Sequence, residues 1–198
     1  MAEVSRFIKS LDRNHLVSTG SEGKHGCEED LALFERIHAD KNIDYMNIHI
    51  WPYNWGWAST DSLLEKVEIA KLQSKQYIDE HLKIAQKYSK PLVLEEFGFP
   101  RDGFQFDKAS TTQARDTYYQ YIFSQITDRA AQSAGLAGCN FWAWGGLANP
   151  KHLYWQRGDD YTGDPAQEQQ GLNSVFMTDS TTIGIIRTAN QQLKQHSF

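Results

Sequence analysis

Two adjacent carboxylates close an apolar run in Pro91-Leu92-Val93-Leu94-Glu95-Glu96-Phe97-Gly98-Phe99-Pro100. Leu92, Val93 and Leu94 leave no polar face, which suits a strand covered on both sides, and Gly98 and Pro100 end it. Carboxylates at the carboxyl end of a buried parallel strand can act as acid, base or nucleophile, because in α/β barrels the loops at that end form the cleft. An ion-paired strand end with no reactive role would read the same way. The groups that share the site with these glutamates decide between the two.

Two other stretches carry polar and aromatic groups on one parity. In residues 43–51, Met46, Ile48 and Ile50 share one face of a strand, while Asn47, His49 and Trp51 share the other. In residues 136–144, Phe141 and Ala143 oppose Asn140, Trp142 and Trp144. Each indole N–H needs a partner when buried, so two tryptophans beside an asparagine are hard to bury dry. His49 reads equally as a satisfied core imidazole or as a member of a site. Glu22, flanked by Gly20 and Gly23, reads as a loop anchor or as a third carboxylate of the cleft. Carboxylates, an imidazole and exposed indoles in one concave surface describe a carbohydrate cleft. Indole faces stack on the C–H faces of pyranose rings, and carboxylates stabilise the oxocarbenium-like transition state of glycoside cleavage. The chain has no phosphate-cradling glycine loop, no G-x-S-x-G elbow and no H-E-x-x-H helix, so neither cofactor nor metal is expected. Cys27 and Cys139 fall in no metal or redox spacing and read as free thiols.

The elements that must position these groups follow from periodicity. Helical spacing predicts helices over residues 2–11, where Val4, Phe7, Ile8 and Leu11 form a stripe, and over 31–38, 61–88, 111–129 and 181–194. Ser59 or Asp61 is the expected N-cap of the third. Strands are predicted over 15–19, 43–51, 91–97 and 136–144, and an aperiodic polar loop over 147–170. The order is one helix and then βα four times, with parallel crossovers, which is half of an eight-stranded barrel. Residues 1–198 are expected to form a single unit.

Composition narrows the partners. The chain has 198 residues, 40% hydrophobic and 23% charged, enough for one domain with a real core. A net charge of −5 without a Lys/Arg cluster argues against nucleic acid or an anionic membrane as partner. No apolar stretch is long enough to span a bilayer, and the first residues do not read as a signal peptide. Five of six tryptophans fall in residues 51–57 and 142–144, a clustering that needs a reason beyond an ordinary core.

These residues resemble a known family. Lys90-Pro91 followed by Leu94-Glu95-Glu96-Phe97-Gly98 is similar to the nucleophile strand of glycoside hydrolase family 5. His49-Ile50-Trp51-Pro52-Tyr53-Asn54-Trp55-Gly56-Trp57 resembles the sixth-strand segment of its bacterial endo-β-1,4-mannanases. Ser18-Thr19-Gly20-Ser21-Glu22-Gly23 resembles the fifth strand, and Gly138-Cys139-Asn140-Phe141-Trp142-Ala143-Trp144-Gly145-Gly146 the eighth. The resemblance implies a retaining mechanism on a (β/α)8 TIM-type barrel, with Glu96 as nucleophile, since parity alone does not choose between Glu95 and Glu96. It implies His49 beside the nucleophile and Trp142 as floor of the sugar subsite, and it puts Trp51 where many members carry a tyrosine that bonds the nucleophile; Trp51, Trp55, Trp144 and Glu22 are the further candidate substrate-binding residues. The family's acid/base glutamate follows an asparagine, and no Asn-Glu pair occurs in this sequence. The chain is therefore expected to be the carboxyl-terminal, nucleophile-bearing half of a mannanase barrel, poorly active by itself. It would act on mannan, galactomannan or glucomannan, and would self-associate or pair with an amino-terminal half. A non-catalytic carbohydrate-binding half-barrel and an endo-β-1,4-glucanase are the alternatives. The family resemblance implies an extracellular or periplasmic location.

Overall fold

A computed structural model describes residues 1–59, 62–131 and 135–195. Helix α1 (Ala2–Leu11) leads through a 3-10 turn at His25–Cys27 to α2 (Leu31–His38). Strand β1 (Met46–Ile50), α3 (Leu63–Lys87), β2 (Leu92–Phe97), α4 (Gln113–Ala131) and β3 (Leu136–Phe141) then alternate. Two short strands, β4 (Trp144–Gly146) and β5 (Val175–Phe176), and α5 (Ser180–Gln195) complete the order.

Strands β1, β2 and β3 pair in parallel and in chain order. Parallel neighbours linked by helices are the repeating unit of a (β/α)8 barrel. All five residues of β1 are buried, as an inner strand requires. Met46, Ile48, Ile50, Leu92 and Leu94 form one core with Val67, Ala70 and Ile78 of α3 and with Tyr118, Ile122 and Ile126 of α4. Asp102, in the loop after β2, accepts the N–H groups of Gln113 and Ala114 at 2.7 and 2.8 Å. That cap ties the carboxyl end of β2 to the start of α4.

Three expectations are corrected. Residues 15–19 form no strand, so the described sheet has three members. Their small polar side chains compete for the ladder. The Ser18 hydroxyl donates to the Asn47 side chain at 2.5 Å, Thr19 donates to the same oxygen at 3.0 Å, and Asn47 donates to the Ser21 carbonyl at 2.7 Å. The last predicted strand stops at Phe141, because Trp144–Gly146 leaves the main sheet and pairs in parallel with Val175–Phe176. The parity that grouped Trp142 with Trp144 does not survive that switch. Helix α3 carries no side-chain cap: the carbonyl of Ser59 accepts from the Ser62 N–H at 3.5 Å, and Asp61 lies outside the described residues. The α1 stripe also faces outward, with Val4, Phe7, Ile8 and Leu11 exposed and Ser5 the buried residue of that helix.

Candidate active site

A bulge in β2 brings both glutamates to the same side of the core. Ile48 pairs with Leu94, yet His49 pairs with Glu96, so the register skips Glu95. The alternation of β2 breaks there: Leu92, Leu94 and Phe97 are buried while Glu95 and Glu96 are half-buried. For this reason period-2 reasoning could not separate the two. Their partners do separate them. Tyr45 donates its hydroxyl to Glu95 at 2.8 Å. Glu96 instead has Nδ1 of His49 3.2 Å from Oε2 and lines a cleft of about 310 Å³. Nε2 of His49 lies 3.9 Å from Glu95, so one imidazole, only 8% exposed, bridges the pair.

The other walls come from loops pinned to this strand end. The N–H of Trp142 donates to the Phe97 carbonyl at 2.7 Å, which seats its indole beside Glu96. Trp51 meets Trp142 edge to face, with centroids 6.3 Å apart. Trp55 lines the cleft on one side and packs on His25, 3.8 Å between centroids, on the other. Both readings of Glu22 apply. Its carbonyl accepts from Tyr77 at 2.6 Å and from the His49 N–H at 3.3 Å, anchoring the loop, while the residue lines the cleft. Gly23 permits that anchor, since a Cβ there would lie 2.6 Å from the Tyr77 hydroxyl. Trp144 is not brought in: it is 53% exposed and stands outside the cleft lining.

Asn54, Pro165, Glu168 and Asn173 complete the lining, and sequence reasoning did not single them out. Asn54 lay unremarked within the aromatic loop 51–57, and for Pro165 and Glu168 the only signal was the length of loop 147–170. The backbone on either side of Asn173 is held by Arg115, whose guanidinium donates to the carbonyls of Phe99, Ser174 and Leu172 at 2.7, 2.9 and 3.1 Å. Gly98 leaves room for it, because a Cβ would stand 2.7 Å from Asn173 Oδ1 and 2.9 Å from the Trp142 carbonyl.

The electrostatics suit a carboxyl at work. Burial pushes the Glu96 carboxyl above its ordinary range, the nearby His49 charge pulls it back, and Glu22 and Glu95 push it up again. Glu168 is raised by burial and then by Asp164. A roomier hollow, about 460 Å³, lies between Phe106–Lys108 and Asn149–Leu153. Its Lys108 is already engaged with the Ala148 carbonyl at 2.7 Å, and it joins no carboxylate to an indole. Chemistry favours the smaller cleft. Among the described residues no cluster of His, Cys, Asp and Glu is arranged to hold a metal ion.

Parallel βα units with carboxylates and indoles gathered at the strand ends have the architecture of part of a (β/α)8 barrel. The family model "GH family 5 beta-mannosidase-like" matches residues 1–197, and the chain belongs to that family. It is similar to the crystal structure of a glycoside hydrolase family 5 mannosidase from Rhizomucor miehei, at 33% identity and a TM-score of 0.88, over 98% of this chain and 47% of that one. Among curated relatives, mannan endo-1,4-β-mannosidase 3 of Arabidopsis thaliana is 29% identical over 98% of this chain and 44% of its own length. Mannan endo-1,4-β-mannosidase 5 of the same plant is 24% identical over 98% and 45%. The chain thus spans about half the length of the relatives it matches. An endo-1,4-β-mannanase from Rhizomucor miehei, 23% identical with a TM-score of 0.58, shares the fold.

Proposed function

We propose that this chain carries the nucleophile and much of the sugar-binding surface of a retaining β-mannan hydrolase, and that the acid/base glutamate comes from barrel strands other than those described here. The observation that carries the reading is Glu96, held 3.2 Å from an imidazole within a cleft walled by Trp142, Trp51 and Trp55. In that reading the Glu96 carboxylate forms a bond to the anomeric carbon as the β-1,4-glycosidic C–O bond breaks. The departing oxygen takes its proton from the acid, and water later releases the sugar. His49, whose Nδ1 lies 3.2 Å from Oε2, pulls Glu96 toward its ionised form against the burial that favours the neutral one. The indoles stack on pyranose faces of mannan, galactomannan or glucomannan and orient the anomeric carbon.

General acid catalysis typically contributes about 10²–10⁴-fold, so without the acid a sugar alkoxide leaves too slowly to matter. A dinitrophenolate needs no proton. Incubation with dinitrophenyl β-mannobioside followed by mass spectrometry is therefore expected to show glycosylation at Glu96, and none in Glu96→Ala. Mixing with a separately expressed amino-terminal half of a family member is expected to restore mannan hydrolysis. Labelling at another carboxylate would overturn the assignment. Sugar binding with neither labelling nor restored hydrolysis would make the chain a carbohydrate-binding module instead.

A further inference from the structure

The loop between β4 and β5 is built around two buried polar side chains. Asp164, 6% exposed, accepts the N–H groups of Gly171 and Asn173, each at 2.8 Å, and the hydroxyl of Ser174 at 2.5 Å. Gln170 donates through Nε2 to the carbonyls of Pro165 and Glu168 at 2.8 and 3.1 Å and accepts from the Thr162 hydroxyl at 2.8 Å. Gly163 packs so closely on Ala143 that a Cβ there would lie 2.3 Å from the Ala143 methyl group. A connection this long is ordinarily mobile; here its backbone is fixed from within. What it holds at the cleft are Pro165 and the side chain of Glu168.

The Glu168 carboxyl is half-buried, and no side chain among the described residues hydrogen-bonds or ion-pairs with it. Such a group is costly to desolvate unless a ligand supplies the missing donors. The indoles of the same cleft take the C–H face of a sugar, which leaves its hydroxyls at the ring edge for polar groups of the wall. A carboxylate has two oxygens and can accept from two adjacent hydroxyls at once. We infer that Glu168 is a substrate-binding residue that takes adjacent hydroxyls of one mannosyl unit, held in register with the tryptophan floor by the Asp164 and Gln170 clamp. The inference rests on the sugar-cleft reading above and adds to it the group that fixes one sugar edge.

Titration calorimetry with mannobiose on the whole chain tests it, with Trp142→Ala as the control for the cleft. Glu168→Ala is expected to weaken binding about tenfold, the loss of a hydrogen bond to a charged acceptor, and Glu168→Gln, which keeps one acceptor, only about threefold. Asp164→Asn, which unfastens the loop while leaving Glu168 in place, is expected to resemble Glu168→Ala. Where Trp142→Ala loses binding and Glu168→Ala stays within twofold of the parent, the inference is wrong and the sugar cleft stands. Absence of mannobiose binding by the parent chain defeats the sugar-cleft reading, and the role of Glu168 falls with it.

Discussion

Glu96 must be an anion to attack a sugar, yet burial favours its neutral form, and the site has to reconcile the two. The sign of the resulting pH dependence is definite. A carboxyl whose pKa is higher in the folded chain than its ordinary 4.5 adds stability that is complete below that value and is lost as pH rises through the raised pKa. Glu96→Gln is therefore expected to melt higher than the parent at pH 7, with the difference disappearing below pH 4.5. Thermal scans at the two pH values check it, and equal melting at pH 7 would mean that His49 already compensates the burial. Trp142 makes the complementary contribution. Removing its indole should weaken mannohexaose binding by about 2 kcal/mol, the scale of a buried aromatic anchor, as read by calorimetry. Gly98 has a steric duty, and Gly98→Ala should displace Asn173 and the Trp142 main chain at a cost of about 1–3 kcal/mol in stability. Chemical denaturation would report that cost, and a parallel fall in sugar affinity would tie it to the cleft.

At the scale of elements, the end of β2 is joined to the segment before α5 by a buried charge network. Arg101 donates from Nη2 to both oxygens of Asp179 at 2.6 Å, and Nη1 of Arg115 lies 3.6 Å from the same carboxylate. All three side chains are essentially buried. Removing the Asp179 carboxylate leaves two desolvated guanidiniums without their shared partner, which costs far more than the intact network stabilises. Asp179→Ala is accordingly expected to lose about 3–5 kcal/mol in urea denaturation, whereas an exposed pair such as Lys75–Asp79 should be worth about 0.5 kcal/mol or less. Because Arg115 also grips the carbonyls of Leu172 and Ser174, the damage should extend to the cleft wall at Asn173.

For the molecule as a whole, the notable surface is α1. Phe7 is 62% exposed and Leu11 73%, and Val4 and Ile8 beside them are also open to solvent. An amphipathic helix that presents its apolar stripe to water has an unmet partner face. Self-association through that face, or its burial against complementary barrel strands, is the expected outcome. Light scattering at micromolar concentration should show species larger than one chain, reduced to one chain by Phe7→Glu. A strictly monomeric parent would count against the prediction.

The sequence by itself determined the helices of this protein, the parallel βα order and which side chains stand at the strand ends. Those features depend on local spacing: 3.6-residue stripes set α2 and α5 to within a residue, and the motif around Glu96 placed the carboxylates at the end of a buried strand. Tertiary structure decided what local spacing cannot carry. Whether residues 15–19 join a sheet depended on Asn47, about thirty residues away, claiming Ser18, Thr19 and Ser21. Which glutamate enters the cleft depended on a bulge against β1, because a skipped residue reverses parity without changing composition. Trp144 left the site when its strand paired with β5 rather than β2. Glu168 entered it through a loop with no period, because its carbonyl is held by Gln170 and the backbone at Gly171 and Asn173 by Asp164 rather than by any repeat along the chain.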